Sequence, residues 1–147
     1  MVRMMACLVL FMFIMSGCAS TSLDALRREQ FARQPNTYSQ FDFKLAWDSK
    51  ITDTGITVDG LIWSLRWQHA ENLEVWVSLL DSDGKVVAKE VDLVIPSPLN
   101  IDEVSTFSIK LPMKPPSGSK LRFTYSYYGV DDQKDPTFWM QSFETNP

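Results

Sequence analysis

The chain has few of the residues that usually announce chemistry. Its 147 residues include one histidine, His69, and two cysteines, Cys7 and Cys18. A nucleophile–His–acid triad would have to use His69, and no Gly-x-Ser-x-Gly motif accompanies it. His69 lies in the polar stretch Gln68-His69-Ala70-Glu71-Asn72, where a solvent-exposed histidine is expected. No cysteine follows Cys18, so the body of the protein has to fold without an internal disulfide and rests on its core. Basic residues are also short, with 14 Lys and Arg against 18 Asp and Glu. That balance excludes a phosphate-tracking nucleic-acid protein, which needs clustered cations, and argues against electrostatic adhesion to anionic lipid. No apolar run approaches the roughly 20 residues that a spanning helix requires.

Acidic residues do not assemble into a site either. Asp81 and Asp83 before Gly84 resemble a fragment of a calcium loop, but the loop is too short and no Glu stands at the required distance. Hairpin chemistry is the simpler reading. Asp131, Asp132 and Asp135 share one acidic loop, which is read as solvated rather than as a cation site. Asp102 with Glu103, and Asp131 with Asp132, are sequence neighbours, and neighbours on a strand point to opposite faces, which is poor placement for an acid–base pair. No catalytic residue, metal ligand or cofactor site is therefore assigned.

What is present begins at the N-terminus. Arg3 and the terminal amine form a thin positive region, Ala6 to Met15 an apolar one, and Met15-Ser16-Gly17-Cys18 closes it. This stretch resembles the lipobox of bacterial lipoproteins, with Met15 where Leu is commoner. The resemblance implies cleavage before Cys18, a diacylglycerol thioether on its sulfur and acylation of the freed amine. Several acyl chains on one residue would anchor firmly, since each buried methylene contributes ~0.8 kcal/mol. Ala19 stands where an Asp commonly signals inner-membrane retention in that family, which implies the outer membrane of a Gram-negative host, facing the periplasm. A secretory signal cut near Ala19, or an uncleaved anchor, is the competing reading. With residues 1–17 removed, 13 Lys and Arg face 18 acids, a side-chain net of −5.

Residues 18–38 read as the lipidated N-terminus and a tether, ending at Gln34-Pro35-Asn36. Leu23, Leu26 and Phe31 have only loosely helical spacing, a short frayed helix being the alternative, and Arg27, Arg28 and Arg33 are weak candidates for headgroup contact. Over residues 39–147 the period changes to two. Phe41, Phe43, Leu45 and Trp47 alternate with Asp42, Lys44 and Ala46. Further runs follow at Ile56–Ile62, Leu73–Leu79, Lys85–Ile95, Phe107–Leu111, Leu121–Tyr127 and Phe138–Phe143. Thr52-Asp53-Thr54-Gly55 and Asp81-Ser82-Asp83-Gly84 are turns, with Gly84 placed for positive φ. About seven short strands with regular turns predict an all-β fold: a single antiparallel immunoglobulin-like β-sandwich of about 100 residues.

Val58-Asp59-Gly60, the hairpin from Leu79 to Val87, and Phe107 with Ile109 after an acidic segment resemble the FxLyD-type extracellular β-sandwich domains. The family's Pro-Gly-Glu turn is replaced by Asn100-Ile101-Asp102-Glu103. The likeness spans about Gly55 to Leu111, implies the sandwich fold and carries no catalytic residue.

One anomaly is aromatic. If Ile56, Val58 and Ile62 face the core, then Leu61, Trp63 and Leu65 face outward, and Trp76 and Leu80 do so on the next strand. A wet face should be polar there. Trp63, Trp76, Leu61 and Leu65 are thus a candidate apolar patch for a partner. The alternative is that a bulge exchanges the faces, or that the N-terminal strand or the tail with Trp139 covers them. The expected function is a lipid-anchored, non-catalytic binding or scaffold module that contacts the membrane through its lipid and an envelope protein through its surface. A carbohydrate-binding module using exposed Trp rings is the alternative.

Overall fold

The computed structural model of the chain describes residues 19–131 and 134–147, with side chains from Leu23 onward. Cys18 and Asp132 lie outside the described residues.

Where hydrophobic and polar residues alternate, strands form. They are β1 (Asn36–Ser39), β2 (Phe43–Thr52), β3 (Gly55–Ser64), β4 (His69–Leu80), β5 (Val86–Leu93), β6 (Leu99–Asn100), β7 (Val104–Leu111), β8 (Lys120–Val130) and β9 (Thr137–Thr145). All pair antiparallel, in a first sheet ordered β1-β2-β3-β7 and a second ordered β5-β4-β8-β9, with β6 also pairing β4. With the short β1 and β6 set aside, the first, second and fifth strands make one sheet, and the fourth, third, sixth and seventh make the other. That is the Greek-key order of an immunoglobulin-like sandwich. The expected fold class is therefore the observed one, with nine strands rather than about seven.

Two expected turns close as read. Thr52 sits opposite Gly55 across Asp53-Thr54. In the β4–β5 hairpin Asp81 accepts the N–H groups of Asp83 and Lys85, and Gly84 has φ 79°. Asp81 is thus engaged in turn geometry.

The core lies between the sheets. Phe43, Leu45, Ile56, Val58, Ile62, Ile109 and Leu111 from the first sheet meet Val75, Val77, Leu79, Leu121 and Phe123 from the second, all in one buried cluster. Each such side chain taken fully out of water contributes about 1.5–3 kcal/mol. Gly129 is required by close packing: a Cβ there would come within 2.5 Å of the Trp67 indole.

The N-terminal segment departs from expectation. In place of a tether, α1 spans Ala19–Ala32, and β1 pairs Asn36–Ser39 with β2. Ala, Leu, Arg, Glu and Gln are good helix formers, and the last turn tightens as Arg33 N–H reaches Gln30 O and Gln34 N–H reaches Phe31 O. Packing selects the helix over a free chain: Phe31 is buried against Ala46, Leu61 and Val104 on the outer face of the first sheet. Arg27 and Arg28 donate to the carbonyls of Val104 (2.9 Å) and Asp102 (2.8 Å), so both guanidiniums help hold α1 on the sheet.

Three further placements differ. Leu80, at the end of β4 where the register with β5 slips, is buried. His69 opens strand β4 rather than lying in a loop, is half-buried, and stands 3.4 Å from Glu71. Asp42, expected on the wet side of a strand, precedes β2 and is fully buried.

Candidate functional site

The residues of the expected aromatic patch do not come together. Alternation on β3 places Leu61 and Trp63 on the outside of the first sheet, and alternation on β4 places Trp76 on the outside of the second. The core lies between them. Leu61 is 3% exposed beneath α1. Trp63 is half-buried, with Phe31 edge-on at 5.8 Å, the Arg28 guanidinium 4.8 Å from its ring and Lys44 at 5.5 Å. Its indole N–H has no hydrogen-bond partner among the described residues. Leu65 is half-buried beyond the end of β3, where its N–H donates to Asp42 O. Three of the four patch residues thus belong to the β3 side of the molecule, and α1 covers the central pair.

Trp76 belongs to a different surface. Its indole donates to Glu74 Oε2 at 3.0 Å, and Lys89 Nζ lies 4.2 Å from its ring. Across the second sheet its neighbours are Val91 on β5 and Thr124 on β8, with Ser142 next on β9. One row further along stand Leu93, Glu74, Ser126 and Met140. Beyond them Tyr128 packs on Phe138 with ring centroids 5.3 Å apart. Leu93, Met140 and Phe138 are each more than half exposed. In the opposite direction the face turns polar, with Lys89, Ser78, Arg122 and Glu144 in register. Arg122 grips Glu144 through two nitrogens, and this ion pair holds the Glu144 carboxyl below its ordinary pKa. At the apolar end a cavity of about 350 Å³ opens between Asn72, Leu73, Glu74, Leu93 and Ile95. No helix covers this sheet among the described residues. Such a surface suits apolar contact with a charged margin.

A second hollow, of about 320 Å³, lies where α1 meets β3 and β7. Gln30, Gln34, Asp59 and Thr106 line it. Ser108 is engaged twice there, its hydroxyl donating to Asp59 (2.7 Å) and its N–H to Asp92 (2.8 Å).

The interior holds a polar network that the alternation pattern did not reveal. Buried Asp42 accepts from Tyr125 Oη (2.9 Å), Tyr127 Oη (2.7 Å) and the Phe43 N–H (2.9 Å). Trp67 Nε1 in turn donates to Tyr127 Oη at 2.9 Å. Burial, reinforced by Asp42, drives both phenols well above the ordinary tyrosine pKa. A buried carboxylate is costly unless its oxygens are satisfied, and here three donors converge on it. The network ties the segment before β2 to β8 of the opposite sheet, so its role is to join the two sheets. The available signal was that Tyr125 and Tyr127 take the inward parity of β8, where phenols need an acceptor.

No protein-family model matches the chain, and no curated protein matches it.

Proposed function

We propose that the protein is a lipid-anchored, non-catalytic binding or scaffold module of the cell envelope. It is held through Cys18 at the outer membrane, facing the periplasm, and offers the outer face of its second sheet to an envelope protein. The observation that carries this reading is the unequal treatment of the two outer faces. The first is roofed by α1, whose first residue, Ala19, directly follows Cys18, while on the second Leu93, Met140 and Phe138 are exposed around a half-buried Trp76, with no helix over them among the described residues. An acylated Cys18 would then lead into a docked helix with no flexible spacer. The acyl chains supply the membrane affinity, which a side-chain net of −5 does not.

Carbohydrate binding is the second reading. It is favoured by aromatic Trp76, Tyr128 and Phe138 standing on one face with Glu74, Thr124 and Ser142. It no longer includes Trp63, which sits on the far side of the core.

The test compares the full chain with Cys18→Ala in fractionated cells. The variant is expected to fold and to leave the membrane fraction; a variant that stays membrane-bound sinks the anchoring proposal. Capture from membranes with Met140→Lys as control then addresses the face. Loss of a specific envelope protein supports the protein reading, and retention on immobilised envelope glycan that Trp76→Ala abolishes supports the sugar reading.

A further inference from the structure

An edge strand exposes a row of unpaired N–H and C=O groups, and proteins usually blunt such edges. Three of the four edges here are blunted. Strand β1 has four residues and follows Pro35. On β7, the Ser108 N–H is taken by the Asp92 carboxylate and Thr106 is bridged by Ile95. On β5, Lys89, Glu90 and Asp92 put charges along eight residues, and the strand lies against β7. Strand β9 also follows a proline, Pro136, but it is long and carries a single charge, Glu144, which is already paired with Arg122. Its nine residues, Thr137-Phe138-Trp139-Met140-Gln141-Ser142-Phe143-Glu144-Thr145, contain no proline, glycine or lysine. Its register with β8 runs from Gly129↔Thr137 to Leu121↔Thr145 without a shift. Every second residue of it turns its backbone polar groups away from β8.

We infer that β9 is a self-pairing edge, which joins β9 of a second copy of this chain in antiparallel register about a two-fold axis at Gln141.

The residue pattern selects a second copy as the occupant. The core-facing set reads Thr137, Trp139, Gln141, Phe143, Thr145, which is symmetric in chemistry about Gln141. Antiparallel pairing centred there sets Thr137 opposite Thr145, Trp139 opposite Phe143 and Gln141 opposite itself. Threonine pairs and aromatic pairs are among the favourable cross-strand combinations. On the outer side Met140 meets Ser142 and Phe138 meets Glu144, so no like charges face each other. Glu144, the one charge on the strand, is already held by Arg122 at 2.7 Å, with Lys120 at 3.7 Å. Trp139 and Phe143 are only half-buried in one copy, and pairing removes more of their surface from water. Helix α1 contacts β2, β3 and β7 of the other sheet, so it leaves this edge open. The product is one continuous sheet, β5-β4-β8-β9 joined to its own copy, with an isologous interface that closes at two. It also sets the two uncovered outer faces side by side. The inference does not depend on how the chain is anchored.

The experiment is sedimentation of the full chain in detergent across a concentration series. The wild type is expected as a dimer at high concentration. Gln141→Lys and Gln141→Glu each place like charges opposite one another at the axis, and each is expected to weaken association on the order of a hundred-fold. An equimolar mixture of the two is expected to restore the dimer, which also shows that both variants fold. A wild type that is monomeric throughout overturns self-pairing. So do charge variants as dimeric as the wild type, or a mixture that fails to recover while each variant keeps the wild-type circular dichroism. A monomeric wild type whose β9 amides gain protection only when membrane extract is added assigns the edge to another protein, and equally overturns the inference. Release of Cys18→Ala from membranes leaves these outcomes untouched, so failure of the anchor and failure of the dimer are separable.

Discussion

On the first sheet, Leu61 and Trp63 point outward and lie beneath Phe31 and Arg28 of α1; on the second, Trp76 points outward and is half-buried only by its neighbours on the sheet, Glu74, Lys89, Val91 and Thr124. The alternation that produces these residues is the same on β3 and β4. The difference lies in what the chain supplies to cover them. The first face is completed in cis by a helix anchored through one buried aromatic and two arginine–carbonyl bonds. The second keeps Leu93, Phe138 and Met140 in solvent. An outward aromatic therefore marks a surface that something covers, and only the rest of the fold tells whether the cover is the same chain.

The contrast is broken most severely by Phe31→Ala. Removing a buried phenyl costs about 3 kcal/mol and leaves α1 held by its arginines alone. Denaturant unfolding is expected to show that loss, and quenching of Trp63 fluorescence is expected to rise. If Trp63 stays shielded, α1 is not its cover.

Next in size is Tyr127→Phe, which acts on the interior between the two faces. It takes a donor from buried Asp42 and an acceptor from Trp67, at a cost of about 2 kcal/mol, since bonds to a charged group are the stronger kind. The exposure of Trp63 and Trp76 is expected to stay unchanged, and a change in either would mean that the network also positions the faces. The phenols also give a pH signature. Both have pKa values raised on folding, so their contribution is complete below the unfolded value near 10 and is lost as pH climbs above it. Wild-type stability is expected to fall from about pH 10 upward. The decline should be shallower in a variant with both Tyr125→Phe and Tyr127→Phe; an unchanged slope would remove these groups from the alkaline transition.

The smallest effect is expected from Trp76→Ala. Its half-buried indole lies beside Val91 and Thr124 on the outer face rather than in the core, and its contact with the Lys89 ammonium is worth about 1 kcal/mol. A shift in denaturation midpoint as large as that of Phe31→Ala would show that the second face is covered as well.

Much of the sandwich was readable because a strand's two faces alternate along the chain. Phe43, Leu45, Ile56, Val58, Val75, Val77 and Phe123 take the core side that their spacing requires. The turns at Asp53-Thr54 and at Gly84 follow from local chemistry in the same way. Misreadings arose where the deciding contact is distant. Leu80 is buried although its parity on β4 points outward, and α1 depends on Phe31 finding Leu61 and Val104 on other strands. The candidate patch was legible only as a list of outward residues. Whether Trp63 and Trp76 shared a surface depended on which sheet each strand joins, and period two is silent on that.

The amino-acid order by itself determined the strands, their inward faces, the hairpin turns and a body without a disulfide, because each follows from chirality, side-chain period or residue identity within a few positions. The tertiary structure alone decided which outward face receives α1, which edge stays open and how Asp42 comes to be buried. Those outcomes rest on contacts such as Asp42 with Tyr125 and Tyr127, 83 and 85 residues apart. No local preference encodes them; they exist only once the two sheets have closed on each other.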